Sequence, residues 1–530
     1  MPLRRAEVRA EVLLARRRQG RGVHHCGVHH WPALLALPGC LGFLVSPVAQ
    51  AQALNASALT WVPTVSVSQT VTDNYRPGLT AREADAITQV SGGIRLSSRS
   101  RRFNGSVDAS LIEILFARHG SENALHKALN ALFHSEIVDD HGFVDLSANV
   151  SRQNISALGN VTSDPALVNR NTTEVRSYLL APSWRGRLTG DIRYDIGLRQ
   201  GASHTSSSGA ANSSNSGASV RASHDGRSRF GWTVLADHSN LGYSTSRSTS
   251  TDRLVGTGTA NLPEADLKLS LSAGREFSNL STAQRQASTT WGLGAEWTPS
   301  NRTHLNAAYD HRPFGHTHQF SFEHRMQRSI LRLSSGRSVN TGTQANNAGV
   351  GTVYDLLFAQ FASIEPDPAK RALLVTSFLQ QNGISPDSPI PAAFQTAAAS
   401  QVDRNELSLA VEGVRDTITG SIFRANTSRI DKAATVNDDL ANGQRIVQSG
   451  LTLNLAHRLT PESSLNLLGT VSNSRGSLVA QSTRLRSMSL QWTGRTGRYA
   501  SVSATLRHTD SQAAMSYSEN AAIATLNVLF

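Results

Sequence analysis

The feature that most constrains this chain is a period-two alternation of apolar and polar residues. It recurs over stretches of about ten residues separated by turn-rich breaks. In "RLTGDIRYDIGLR", Arg187 to Arg199, the residues Leu188, Ile192, Tyr194, Ile196 and Leu198 face one way. Arg187, Asp191, Arg193, Asp195 and Arg199 face the other, with charges of both signs. "HQFSFEHRM" sets Phe320, Phe322 and Met326 against Gln319, Ser321, Glu323 and Arg325. "LKLSLSA", "TWGLGAEW" and "SGLTLNLAH" repeat the pattern at 267–273, 290–297 and 449–457. About eighteen such segments can be counted, each suited to a strand with one dry and one wet face.

Composition narrows the choice. Hydrophobic residues make up 39% and aromatics 6% of the 530 residues, low for a globular core. Half-polar strands with one dry face produce such a composition, and so does a secreted solenoid. After the first fifty-odd residues no stretch is long and apolar enough for a transmembrane helix. Short joints (298–302, 312–315, 459–463) alternate with longer polar ones (201–217, 472–483), as in a transmembrane β-barrel. A propeller or solenoid would show a fixed repeat length, and none is found. The expected fold is therefore all-β, a transmembrane antiparallel β-barrel of the bacterial outer membrane with about eighteen strands.

Two stretches read as helical inserts in loops. "SENALHKALNALFH", 121–134, carries Leu125, Leu129, Leu132 and Phe133 at helical spacing. The second spans 353–383, with Asp367 as cap, Pro368 at the first helical position and Gly383 as stop.

Residues 1–53 read as a signal peptide. The basic "RRRQGRG" precedes the apolar Trp31–Val45, and small-residue cleavage sites end at Ala51 or Ala53. "LPGC" is a poor lipid-attachment site because a good cleavage site follows it. Cys26 and Cys40, the two cysteines, and the histidines of "HHCGVHH" all fall inside this segment, leaving 54–530 as a cysteine-free barrel. The chain carries +12, of which +5 lies in the first 51 residues. The remaining +7 is spread out, and nucleic-acid binding is not implied.

The last strand, "NAAIATLNVLF", places Ala522, Ala524, Leu526, Val528 and Phe530 on one face. Phe530, Val528 and Leu526 are expected to form the barrel-closing strand, and with it an address for the barrel-assembly machinery. A soluble edge strand ending on Phe is the plainer alternative.

The order of these landmarks resembles the outer-membrane protein family associated with PEP-CTERM/exosortase loci, found beside exopolysaccharide biosynthesis genes. The similarity is carried by "TWVPTVSVSQTVTDN" (60–74), the segments 85–111, 142–156 and 174–197, and above all 296–339. "PDPAKRALLVTSFLQQNGI" follows in the expected place, whereas Ala181-Pro182-Ser183 departs from the family's Ser-Pro-Tyr. The resemblance implies an integral outer-membrane barrel in an exopolysaccharide or envelope-protein export system. It implies no reaction.

No nucleophile elbow occurs, and mature-chain histidines stand singly except in "HRPFGHTH", His311–His318. His316 and His318 share a strand face and so have a metal-binding spacing, though a polar turn beside a strand explains them better. No cofactor and no catalytic residue is assigned. Arg187, Asp191, Arg193, Asp195, Arg199, Glu323 and Arg325 are the candidate lumen-lining charges. They either set the selectivity of a wet pore or pair across strands to stiffen the wall. The expected function is a porin-like conduit or docking component for exopolysaccharide or exported envelope protein, embedded in outer-membrane lipid. An outer-membrane hydrolase with a rim active site, or a structural or adhesive barrel, are the alternatives.

Overall fold

The computed structural model describes residues 59–530, apart from 79–80, 208–211, 225–228, 341–370, 372–374, 376–393, 398, 432–437, 442–444, 478–481, 498 and 514. The signal segment 1–53 and, except for Arg371 and Val375, the second expected insert (353–383) lie outside the described residues. Twenty-two strands follow one another, β1 (Thr60–Thr72) to β22 (Tyr517–Leu529), each 10 to 16 residues long. Each pairs antiparallel with the next, from β1 with β2 (Asp85–Arg99) to β21 (Ala500–Gln512) with β22. The seam between β22 and β1 runs from Thr72 opposite Ala521 to Thr64 opposite Leu529. The sheet is thereby closed and has no free edge.

Closure accounts for the low hydrophobic content. A closed sheet does not need a packed apolar centre, because its backbone groups are satisfied by neighbouring strands. Its side chains divide by parity. In β9 (Phe230–Tyr243), the exposed Phe230, Trp232 and Val234 point outward, and Gly231, Thr233 and Leu235 point inward. In β20 (Ser482–Arg495), Met488, Leu490 and Trp492 are outward and exposed, while Thr483, Gln491 and Thr493 are inward and buried. Repeated around the sheet, this leaves a belt of Leu, Val, Ile and Trp open on the outside.

The two ends of the barrel differ. Connections at the end holding Thr60 and Leu529 run from two to five residues, as at 301–302 or 461–462. At the other end they reach 12 residues after β1, 17 after β5 (Gly142–Asn154) and 59 after β15 (Ser329–Asn340). Several aromatics gather at the short-turn end. Trp61, Trp184, Phe230, Trp232, Trp297 and Trp492 all lie outward near the short-turn end and are exposed.

Three expectations require correction. There are 22 strands, not about eighteen. The segment 121–134 is not a helix. A single 3-10 turn at Gly120–Glu122 precedes β4 (Ala124–Val138), which pairs with β3 (Phe103–Phe116) and β5. Leu125, Leu129 and Phe133 are spaced by four, which places residues on one face of a helix and equally on one face of a strand. Leu132, which the helical spacing would place with them, faces inward and is 51% exposed. Third, Arg187–Arg199 is not one strand. β6 (Thr172–Arg187) ends at Arg187 and β7 (Ile192–Thr205) begins after a turn. The extra strands hide in polar sequence: β8 (Ser213–His224) reads "SSNSGASVRASH", with Ser, Gly and Ala where Leu or Val would announce it.

Candidate lumen and its mouth

The hairpin turn at 188–191 rearranges the expected charge row. Arg187 and Arg193 become cross-strand partners, and Arg185 faces Asp195 in an ion pair of 2.9 Å. Asp195 and Arg193 lie inward on β7, opposite in parity to the outward, exposed Ile196 and Leu198. Arg199 is inward too, its Nε lying over Gly217 of β8, where no Cβ stands in the way. Asp191 sits in the exposed turn rather than on the strand face. On β14 (Gly315–Arg325), Glu323 and Arg325 are inward, bonded to each other at 2.9 Å, and Glu323 faces Arg332 of β15. Arg95 of β2 with Asp108 of β3 (2.8 Å) and His134 of β4 with Asp145 of β5 (2.6 Å) extend the same inner band. These pairs are half-exposed and close to the short-turn end. Each stabilises the wall by at most about 1 kcal/mol, so their larger effect is the field they set inside the tube.

The long-loop end is built differently. The β5–β6 connection, residues 155–171, turns into the barrel and packs along the inner wall. Ala166 and Leu167 are buried against Tyr75, Ile87, Ile114 and Phe116. Val161 packs on Leu485 and Tyr517, and Ala157 on Phe394, Leu440 and Ile446. Polar anchors reinforce these apolar contacts. Asn171 holds the loop to itself: it accepts from the Ser156 N–H (3.0 Å) and donates to the carbonyls of Ser156 (2.9 Å) and Asn160 (3.0 Å). Its amide rests where a Cβ at Gly159 would stand, which explains glycine there.

The wall holds the loop through inward side chains of β20 to β22. Arg507 on β21 bridges Asp164 of the loop (2.7 Å) and Glu519 of β22 (2.8 Å), and Thr72 also donates to Glu519 (3.1 Å). Arg507 and Asp164 have side chains 9% and 8% exposed, and that of Glu519 is fully buried. Ser163 and Thr509 share a hydrogen bond of 2.7 Å, and the Tyr517 hydroxyl donates to the Val161 carbonyl at 2.7 Å. Thr483 donates to the carbonyl of Leu158 (2.8 Å). At the loop's start, Asp439 accepts from Ser156 Oγ (2.8 Å) and the Ala157 N–H (2.6 Å). Burial pushes the Asp439 carboxyl above the ordinary aspartate range, against the lowering effect of those two bonds.

None of these anchors was singled out from the sequence. The available signal was weak: Leu158, Val161, Leu167 and Val168 are apolar residues in a connection that should otherwise be polar. The "HRPFGHTH" stretch spans the end of β13 (Thr303–Arg312), a two-residue turn and the start of β14. His316 and His318 do share a face, the outward one, with rings 6.2 Å apart. Arg337 donates to His316 Nε2 at 2.5 Å, so a guanidinium occupies the nitrogen that a metal would need. The final strand presents Ala522, Ala524 and Leu526 outward and exposed, with Val528 beside them. Phe530 lies just past it, 68% exposed, its N–H donating to the Pro63 carbonyl (3.1 Å).

No protein-family model matches this chain, and no curated protein matches it. Solved structures to which it is similar include the siderophore receptor PirA from Pseudomonas aeruginosa, at 11% identity and a TM-score of 0.38, over 90% of this chain and 81% of that one. PirA from Acinetobacter baumannii gives 9% and 0.45 over the same shares. The FrpB iron transporter from Neisseria meningitidis (F3-3 variant) gives 8% and 0.46, over 88% of this chain and 81% of that one. Likeness at this level says nothing of cargo.

Proposed function

We propose that the chain is a non-enzymatic outer-membrane barrel, a wide conduit lined with paired charges and narrowed at its long-loop mouth by residues 155–171. The observation carrying this reading is the division of side chains in a closed 22-stranded sheet: an apolar belt with an aromatic fringe outside, Ser, Thr, Asn and ion pairs inside. In water such a belt would be a vast apolar patch. In a bilayer it is the surface that hydrocarbon requires, and strands of this length tilted by about 45° suffice to cross. Short turns on the side of Thr60 and Leu529 and long loops opposite match a barrel whose short turns face the periplasm.

Twenty-two strands about 4.8 Å apart, tilted by about 40°, give a backbone diameter of about 44 Å. That exceeds what small nutrients require and suits a hydrated polymer. The family resemblance carried by segments from Thr60 to Val339 implies an exopolysaccharide or exported envelope protein as the cargo. Movement would be diffusive or driven by periplasmic partners, since no nucleotide-binding motif is present. The test is single-channel conductance of refolded protein in a planar bilayer, with and without an anionic polysaccharide. Steady conductance interrupted by the polymer is expected. A folded, inserted barrel without conductance would replace the conduit with a structural or adhesive role.

A further inference from the structure

Five arginines crowd one sector of the outer surface, just beyond the apolar belt at the long-loop end. On β17 (Asp416–Arg429), Arg424 lies two residues beyond the outward, 53% exposed Ile422 and shares its face. On β18 (Arg445–Thr460), Arg445 has the same parity as the outward Leu451, Leu453 and Leu455. On β19 (Ser463–Arg475), Arg475 sits opposite Val447, and on β20 Arg484 and Arg486 follow the outward Met488. Registers bring them together: Asn473 faces Arg484, Ser449 faces both Arg424 and Asn473, and Ser428 faces Arg445. Four adjacent strands span about 15 Å, and the six residues from the level of Arg445 to that of Arg486 about 20 Å, so the five arginines lie in one patch of about 15 by 20 Å, with Arg424, Arg484 and Arg486 within one two-residue step of each other.

Apart from Asp510, which stands opposite Arg486, their neighbours supply hydrogen bonds rather than opposite charge. Arg484 donates to Asn473 Oδ1 at 2.7 Å, and Arg445 donates to Asn426 Oδ1. Among the described residues no carboxylate forms an ion pair with any of the five. The two acids at the border are Asp510, opposite Arg486, and Asp403, which is taken by Arg337 at 2.6 Å. Elsewhere on the outer face at this end, Arg176 is held by Glu174 at 2.6 Å and His238 by Asp252. Like charges gathered at this density repel one another, and a solvated surface has no reason to hold them. An anion with several phosphate oxygens relieves the repulsion through bidentate guanidinium bonds.

We infer that the outward faces of β17–β20 form a binding site for the phosphorylated headgroup of an anionic glycolipid in the leaflet facing the long loops. Its acyl chains lie along Ile422, Leu451, Leu453, Met488 and Leu490. The continuity of the basic cluster with that apolar strip selects a lipid over a soluble anion, because one molecule satisfies both. This rests on the outer-membrane reading, and the test separates the two.

Full-length protein, folded in zwitterionic detergent and checked by heat-modifiable migration, is titrated with diphosphoryl lipid A by calorimetry. It is compared with the Arg424→Gln/Arg475→Gln/Arg486→Gln variant and with Arg275→Gln, which faces outward on β11 (Leu267–Ser278), outside the cluster. The triple variant should bind at least tenfold more weakly, Arg275→Gln should match wild type, and a dephosphorylated lipid should lose most of the affinity. Equal affinity of the triple variant and wild type would overturn the site while leaving the barrel reading intact. So would displacement by inorganic phosphate at millimolar concentration, which would mark a site for free anions. A wild-type chain that neither shows heat-modifiable migration nor inserts into liposomes would remove the outer-membrane reading itself.

Discussion

Arg507 answers for two carboxylates at once. Removing it leaves Asp164 and Glu519 facing each other without a counterion in a buried place, whereas removing the charge of Asp164 leaves a neutral Arg507–Glu519 pair. The two substitutions therefore separate loop docking from wall stability. Arg507→Met is expected to lower stability by about 3–5 kcal/mol, the usual cost of stranding a buried charge, read as a lower urea midpoint for loss of the heat-modifiable form. Asp164→Asn should keep that midpoint within about 1 kcal/mol. Its effect should appear instead in planar-bilayer recordings as larger mean conductance or added open-channel noise, as residues 155–171 leave the wall. An Asp164→Asn channel indistinguishable from wild type would mean that this loop does not set the width of the mouth. Nothing in the local sequence around Arg507 or Asp164 marks either residue. Their meaning comes from a contact across more than three hundred positions, which periodicity does not report.

At the scale of the element, β4 shows how far pattern reading reaches. The alternation in β7, β11, β14 and β18 was legible because one face carries large apolar residues and the other mostly polar ones. In β4 both faces are mixed, and Leu125, Leu129 and Phe133 suit a helix as well as a strand. The strand assignment makes a sharp prediction. Leu129→Arg puts a charge on the outer face and should cost about 2–4 kcal/mol near the belt's middle, read as reduced yield of folded, membrane-inserted protein. Leu132→Arg, three residues on, points into the wet interior and should assemble nearly as wild type. A helix with both leucines on one buried face would suffer from the two alike. The candidate charges fared similarly. Their inward parity on β7 and β14 was readable from the alternation, but the turn between Arg187 and Ile192 was not, because "LTGD" interrupts the pattern no more than a polar strand residue would.

For the whole molecule, the low hydrophobic content and the alternation pointed to a closed sheet, and the structure has one. The number of strands was out of reach wherever Ser, Gly and Ala fill the outer face, as in β8. Phe530→Ala, or deletion of the last strand, is expected to reduce the amount of assembled barrel in outer-membrane fractions by several fold, with unassembled chain accumulating. Normal membrane yield and heat-modifiable migration of the alanine variant would argue against an assembly role for the terminal aromatic.

The seam has a consequence in time rather than in space. β22 meets β1 across about 450 intervening positions, and bringing such distant partners together costs about 5 kcal/mol in chain entropy alone. Every other strand finds its neighbour within one hairpin or one loop, so the junction of first and last strand belongs to the end of assembly. Until then, the edge of β1 from Thr64 to Thr72 holds unpaired amides and carbonyls, for which the bilayer of the proposed function would offer no partner. A tube of this kind is exposed to mispairing for as long as it is unfinished, and the wait is longest for the strand that is made first.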